Sequence, residues 1–357
     1  MTTPHEVGLL RLVAQGLVGA PPARPAVAAV RLLTAVQAQD LPGALVSIAL
    51  RTGSRSLAAV VAGLQDASMV RTWPMRGTLH LLAATDARWL LRTTAPRSVH
   101  QSAARRAELG LDAPTLERAH EVADRALAAA ATHGLRRSEL LQTWQDAGIS
   151  TASQRGYHLV SHLAQTGLLC LGPMPDAEQR LVRLDDHVPT GPDLTGDEAL
   201  AELAVRYLHG HGPATVHDLA RWSGLTVRDA RTGLALGQPQ LQAIDVDGTE
   251  HWLDPGTPDR LAACRAEASD VLLLPGFDEY LLGYGDRSAV LAHGHLQQVA
   301  PGGNGVFRPT VVDAGRVVGT WRHVGRGEDR TVEAIPFETF RPTVAAALTG
   351  VHGRLPR

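Results

Sequence analysis

One arrangement recurs three times along the chain: a helix, two shorter helices around a tight turn, and then a pair of short strands. The clearest copy spans residues 197 to 254, where DEALAELAVRYLHGHG is followed by ATVHDLARWSGLTVRDARTGL and LQAIDVDGTEHWL. A helix starting after Thr215, a turn through Ser223 and Gly224, a second helix capped by Thr226 and a hairpin turning at Asp247 and Gly248 describe a winged helix. A second copy runs from about Thr115 to Leu184, with GLRRSELLQTWQDAGI and STASQRGYHLVSHLAQTG as helices and LLCLGP and QRLVRL as wing strands. A first copy runs from Val7 to about Leu82, where PAVAAVRLLTAVQAQD and PGALVSIALR precede SLAAVVAGLQDASMVRTWPMRGTLHLL. The repeat predicts an α+β protein of three tandem winged-helix units forming a curved, C-shaped molecule. The first unit is expected over 1–95, the second over 96–190 and the third over 191–268.

From about Asp270 the texture changes. VLLLPGFDEYLLGYGDRSAVL and AHGHLQQVAPGGNGVFRPTVVDAGRVVGTWRHV alternate β-branched residues with glycine turns, which predicts a β-rich C-terminal part over 269–357 closed by the helix PTVAAALTG. APGGNG follows no phosphate-binding pattern and reads as a hairpin tip.

A chain of 357 residues suits two or three modules, and 44% hydrophobic residues supply a sizeable core. All 34 basic residues are arginine, as GC-rich coding produces, and the net charge of −2 gives no global sign of a polyanion partner. Clustered arginines can still line a positive groove on a neutral protein. The lack of lysine removes every side-chain amine, and with it Schiff-base catalysis. The opening MTTPHEVGLL lacks a basic stretch followed by an apolar run, and no segment carries about 18 uninterrupted apolar residues, so a cytoplasmic protein without a membrane partner is expected. Cys170 and Cys264 lie too far apart for a CxxC pair or a zinc ribbon and read as buried reduced thiols.

The stretch TAVQAQDLPGAL, residues 34 to 45, sets Gln37 and Gln39 two positions apart. In a helix such a pair points to different faces, whereas in an extended segment it shares one side. Pro42 disfavours helical geometry at Leu41 and suits a first helical turn, so one helix should stop near Asp40 and the next begin there with Asp40 as N-cap. Spacing alone leaves two readings open: solvated residues at a helix corner, or two amides serving one site.

MRGTLHLL at 75 to 82, GPATVHDLARWSGLTVRDAR at 212 to 231, LLPGFDEYLLGYGDRS at 273 to 288 and GRVVGTWR at 315 to 322 resemble the winged-helix DNA glycosylases of the AlkZ type. The resemblance covers essentially the whole chain. In that family the catalytic element is a glutamine, an apolar residue and a second glutamine, which Gln37, Ala38 and Gln39 match; a sister branch carries aspartate in the second position. The resemblance implies a monofunctional glycosylase that removes bulky N7-alkylated purines and unhooks interstrand crosslinks, acting as a monomer on double-stranded DNA with alkylated or crosslinked guanine. It would serve base excision repair and self-resistance to a genotoxic natural product, with no cofactor and no metal. The chemistry suits amides: alkylation at guanine N7 makes the base a cationic leaving group, so the enzyme need only place a water beneath C1′ and tolerate an oxocarbenium-like transition state.

Other polar residues admit two roles each. Asp40 can polarise that water or cap a helix. Arg76 and His80 alternate with Thr78 along RGTLH, and line the same cleft or pack the wing. Asp286 and Arg287 form a buried ion pair, or Arg287 contacts phosphate. His293, His295, Gln297 and Gln298 occupy a polar, hairpin-like segment suited to a DNA groove or to a plain surface loop; no further metal ligands accompany the two histidines at suitable spacing. The rival function is a winged-helix transcription regulator without catalytic activity, although three units in one chain do without the palindrome-reading dimer of such regulators.

Overall fold

Local signals set several elements directly. The Thr226 hydroxyl accepts the Asp229 N–H at 3.1 Å and opens the helix Val227–Gly237. Asp247 and Gly248, with φ of 49° and 80°, close the hairpin between strands Gln242–Val246 and Thr249–Leu253, the left-handed pair that a two-residue turn requires. Arg76 and Gly77 do the same, with φ of 52° and 68°, between Met69–Met75 and Thr78–Ala83. These elements come from a computed structural model describing residues 2–19, 24–303, 305–325 and 330–356.

The chain forms two compact units. The first comprises residues 1–60, 201–222 and 226–357. Its centre is the helix Pro4–Ala14, opened by Thr3 accepting the Glu6 N–H and buried from Val7 onward. Leu9 and Leu12 pack with Leu261, Leu274, Leu281 and Val312, so the first helix shares its core with the C-terminal part. That part contains an antiparallel sheet in the order Thr331–Pro336, Arg316–Val324, Thr310–Asp313, Val271–Leu274, with a bulge between Val317 and Gly319. The helix Pro342–Gly353 covers it through Val344 against Leu273, Val311 and Trp321. Pro301–Gly303 form a 3-10 turn, and Asn304 of the expected hairpin tip lies outside the described residues.

The second unit comprises residues 61–200 and 223–225. Helices Ala113–Ala130, Arg137–Asp146 and Arg155–Gln165 lead to strands Leu169–Leu171 and Leu181–Arg183, as the second sequence copy predicts. Leu169–Leu171 also pairs with Met69–Met75, at Arg71 and Leu171. The core gathers Trp73, Leu127, Leu140, Trp144, Leu159 and Leu163. The indole N–H of fully buried Trp144 donates to the Ala119 carbonyl at 2.9 Å, tying one helix to another.

Cys170 is buried, and burial pushes its thiol up to about 12; Cys264 is free as well but only half-buried, contrary to the expectation of two buried thiols. Among the described residues no helix is long and apolar enough to cross a membrane.

His162, on Arg155–Gln165, carries a pH signature. Burial first, then the charge of Arg106, lowers its pKa from 6.5 to about 4, and its buried Nδ1 has no hydrogen-bond partner among the described residues. Between pH 6.5 and 4 the unfolded chain takes up a proton that the folded ring refuses, so stability falls as pH drops through that window and levels off below it. With ~1.4 kcal/mol per pH unit as the upper bound, and solvent reaching part of the ring, the expected loss is about 1–2 kcal/mol. Denaturant midpoints from pH 7 to pH 4 should fall less for His162→Asn than for the natural chain; equal slopes would dismiss the histidine as the source.

Candidate active site

The helix Ala26–Leu33 ends before the glutamines. Thr34 takes φ 64° and ψ −47°, which an L-residue adopts only under constraint and which terminates the helix. The sequence predicts the stop near Asp40; it falls six residues earlier, at Thr34, within an apolar run that contains no breaker. Gly210, near the end of the helix Gly196–His211, lies so close to the Leu32 carbonyl that a Cβ would overlap it. Two backbones therefore meet in direct contact where the chain turns out of its helix.

Beyond Thr34 the chain runs extended. Val36 and Ala38 are fully buried, Gln37 is half-buried and Gln39 exposed. The strand Val36–Gln37 alternates, with Val36 in the core and Gln37 half-buried on the other side, and the chain then bends at Gln39, whose side chain is exposed. The helix Leu41–Leu50 then begins with Pro42 in its first turn and Asp40 at the N-cap position. The Asp40 carboxylate is exposed and makes no capping hydrogen bond, so capping by its side chain is set aside.

Two consecutive acidic residues hold this segment from behind. Asp278 and Arg51 form a buried two-pronged ion pair, with NH1 to Oδ2 at 2.9 Å and NH2 to Oδ1 at 2.8 Å. Asp278 also accepts the Ser47 hydroxyl at 2.7 Å, which fixes the helix that follows the glutamines. Glu279, fully buried, accepts the backbone N–H of Gln37 on Oε1 at 3.0 Å and the indole N–H of Trp222 on Oε2 at 3.0 Å. His211 stands with Nε2 3.4 Å from Oε2, its Nδ1 3.2 Å from the Tyr207 carbonyl, and stacks on the Tyr207 ring at 4.6 Å. Burial raises the Tyr207 phenol well above its ordinary range, so it remains a neutral donor, to the Gly283 carbonyl at 2.7 Å. Neither Glu279 nor Trp222 is among the residues singled out from sequence. The available signal is the pair of carboxylates in an otherwise apolar LLLPGFDEYLL, since a charge buried in such a run needs a partner.

The remaining sequence candidates fall in other places. Arg76 lies in the hairpin turn rather than on a strand, and His80 is fully buried, with Nδ1 2.9 Å from the Thr78 carbonyl and Nε2 3.4 Å from Arg76 NH2. Turn geometry thus replaces the strand alternation at Arg76, while Thr78 and His80 keep it on the strand Thr78–Ala83. Asp286 and Arg287 do not pair: the Asp286 carboxylate accepts the Ser288 N–H at 2.8 Å, whereas Arg287 Nε donates to the Leu281 carbonyl at 2.7 Å. Burial lowers Arg287 to about 10, and its guanidinium lies 5.2 Å from the Phe307 ring centre. His293–His295 and Leu296–Val299 are short helical turns, not a hairpin, because no paired apolar alternation supports strands there. His293, Gln297 and Gln298 are exposed; His295 stacks on Phe337 at 4.6 Å and lies 3.3 Å from Gln298.

Two amides on a break between helices, Gln37 half-buried and Gln39 exposed, with the Gln37 backbone anchored to a buried carboxylate, sit in a chain whose residues 30–357 match the model of the AlkZ-like DNA glycosylases. The chain belongs to that family and is a DNA glycosylase. It is 30% identical over 328 residues to the interstrand DNA cross-link repair glycosylase of Streptomyces sahachiroi, covering 88% of this chain and 85% of that protein. The solved structure of Streptomyces sahachiroi DNA glycosylase AlkZ superposes with a TM-score of 0.81 at 29% identity, covering 99% of this chain and 98% of that one. The mixed helix and sheet class expected from sequence agrees with that fold.

Proposed function

We propose that the chain hydrolyses the N-glycosidic bond of N7-alkylated purines in double-stranded DNA and unhooks interstrand crosslinks joined through such bases, with Gln37 and Gln39 as its catalytic residues. The observation that carries this reading is the break at Thr34, after which Gln37 is half-buried and Gln39 exposed while Val36 and Ala38 are buried.

The amide carbonyls orient a water beneath C1′ but do not take its proton at neutral pH. As the C1′–N9 bond breaks, its electron pair passes into the base and neutralises the charge that alkylation placed at N7. The water oxygen bonds to C1′ and its proton leaves to solvent, giving an abasic site and a neutral alkylated guanine. In a crosslink the same step frees one strand while the adduct remains on the other. Undamaged guanine is a far poorer leaving group, so so weak a catalytic pair spares normal DNA. Asp40, exposed beside the pair, adds negative charge near the developing cation.

The three repeats act as winged helices that hold duplex DNA, with exposed His293, Gln297 and Gln298 as groove contacts and Arg76 as a phosphate contact. The protein works as a monomer in the cytoplasm and serves defence against an alkylating natural product. Release of base from duplex DNA carrying N7-alkylguanine tests the activity; the absence of release, together with a palindromic consensus from binding selection, would favour a regulator. Affinity should depend on salt rather than sequence: with about six phosphates neutralised, binding weakens roughly 10³-fold between 50 and 200 mM salt. Titrations on unrelated duplexes at several salt concentrations check this.

A further inference from the structure

We infer that Glu279 is a positioning residue for the reaction, holding the Gln37 amide in register through the main chain; this rests on the assignment of Gln37 to the site proposed above. The juxtaposition is specific. A fully buried carboxylate, 242 residues away in sequence, spends one oxygen on the peptide N–H of Gln37, while its other oxygen is fixed by the Trp222 indole at 3.0 Å with His211 Nε2 beyond it at 3.4 Å. The residue's own main chain is held as well, since the Glu279 carbonyl accepts Gln15 Nε2 at 3.2 Å. The hinge that most needs such a clamp lies three residues before Gln37, at Thr34, where the helix has ended in strained backbone and the strand has only just begun. Charge-assisted hydrogen bonds are the strong ones, and a displacement of about 1 Å in a group that orients a reactant costs on the order of 10²-fold in rate.

The clamp depends on having acceptors at both ends. A carboxylate offers two accepting oxygens, whereas a side-chain amide offers one acceptor and one donor. In Glu279→Gln the shape is unchanged, but the new NH2 group must face either the Trp222 indole N–H or the Gln37 peptide N–H, donor against donor. Trp222→Phe removes the first conflict. His211 can then accept from the amide through Nε2 while its Nδ1–H donates to the Tyr207 carbonyl, and the amide oxygen stays on Gln37.

The test is a double-mutant cycle in the full chain with DNA carrying N7-methylguanine, reading the single-turnover excision rate, the dissociation constant for the same duplex and the melting temperature. Glu279→Gln should slow excision about 10- to 100-fold while DNA affinity stays within about twofold. The same substitution made in a Trp222→Phe background should cost several-fold less, an antagonism that a general loss of packing would not produce. Equal costs in the two backgrounds overturn the inference, as does a loss of excision that runs in step with DNA affinity and melting temperature. Gln37→Ala measured alongside separates the two layers. If it is slow while Glu279→Gln excises at the wild-type rate, the clamp alone is wrong; if Gln37→Ala itself excises at the wild-type rate, the assignment of Gln37 fails and the clamp with it.

Discussion

Replacing either Gln37 or Gln39 with alanine slows release of an N7-alkylated guanine by about 10²-fold or more, the effect of losing one positioned group around a reacting water. Both replacements leave the main-chain anchor of the segment in place. The Gln37 contact to Glu279 is made by the peptide N–H, which alanine retains, and the Gln39 side chain is exposed. Melting temperature and DNA affinity should therefore stay close to wild type, with stability changes of roughly 0.5 kcal/mol or less. The proposed sharing of one water by the two amides requires the double variant to lose less than the product of the single losses. Single-turnover kinetics on the three variants decide the matter: unchanged rates in both single variants would return the glutamines to the role of corner residues.

Removing one partner of the Arg51–Asp278 pair has the largest expected effect on stability. Both side chains are almost wholly out of water, at 0% and 3% exposure, so Asp278→Ala leaves a guanidinium without its counter-charge. Such a change costs about 3–5 kcal/mol. Arg51 would keep its bonds to the Gln15 and Ser47 carbonyls, which moderates the loss without supplying a negative charge. Arg51→Met combined with Asp278→Asn should lose less than the sum of the two single changes, since no lone charge remains. Urea denaturation of the two single variants and the double measures this; additive losses would show that the pair acts as two independent residues.

Features written in neighbouring residues were legible from sequence, and features written across the fold were not. Thr226 with Asp229, and Asp247 with Gly248, each settle their geometry within a few positions, and the second sequence copy matches its helices and strands for the same reason. The helix end at Leu33 escaped because AVAAVRLLTAV contains no breaker, and the close approach of the Gly210 backbone to Leu32 comes from a residue distant in sequence. Of the two roles open to Asp286 and Arg287, the ion pair falls away because adjacency in sequence says nothing of where each side chain finds its partner, and here both turn to backbone groups. The segment from His293 to Gln298 lacks any apolar period, so its short helical turns had no signature. Of the proposed site, the glutamines were visible and their support was not: Glu279 is marked only by an unexplained charge in an apolar run.

The first unit is assembled from three separate stretches, with the second unit running almost continuously between them. On the ribosome this imposes an order. The glutamine segment emerges early, yet the carboxylate that grips it follows 242 residues later, a delay of roughly 10–50 s at typical elongation rates. During that interval Leu9 and Leu12 lack the Leu281 and Val312 side chains that complete their core, while residues 61–200 are already available to fold. The nascent protein thus carries its glutamine segment without the Glu279 contact until nearly the whole chain has been translated.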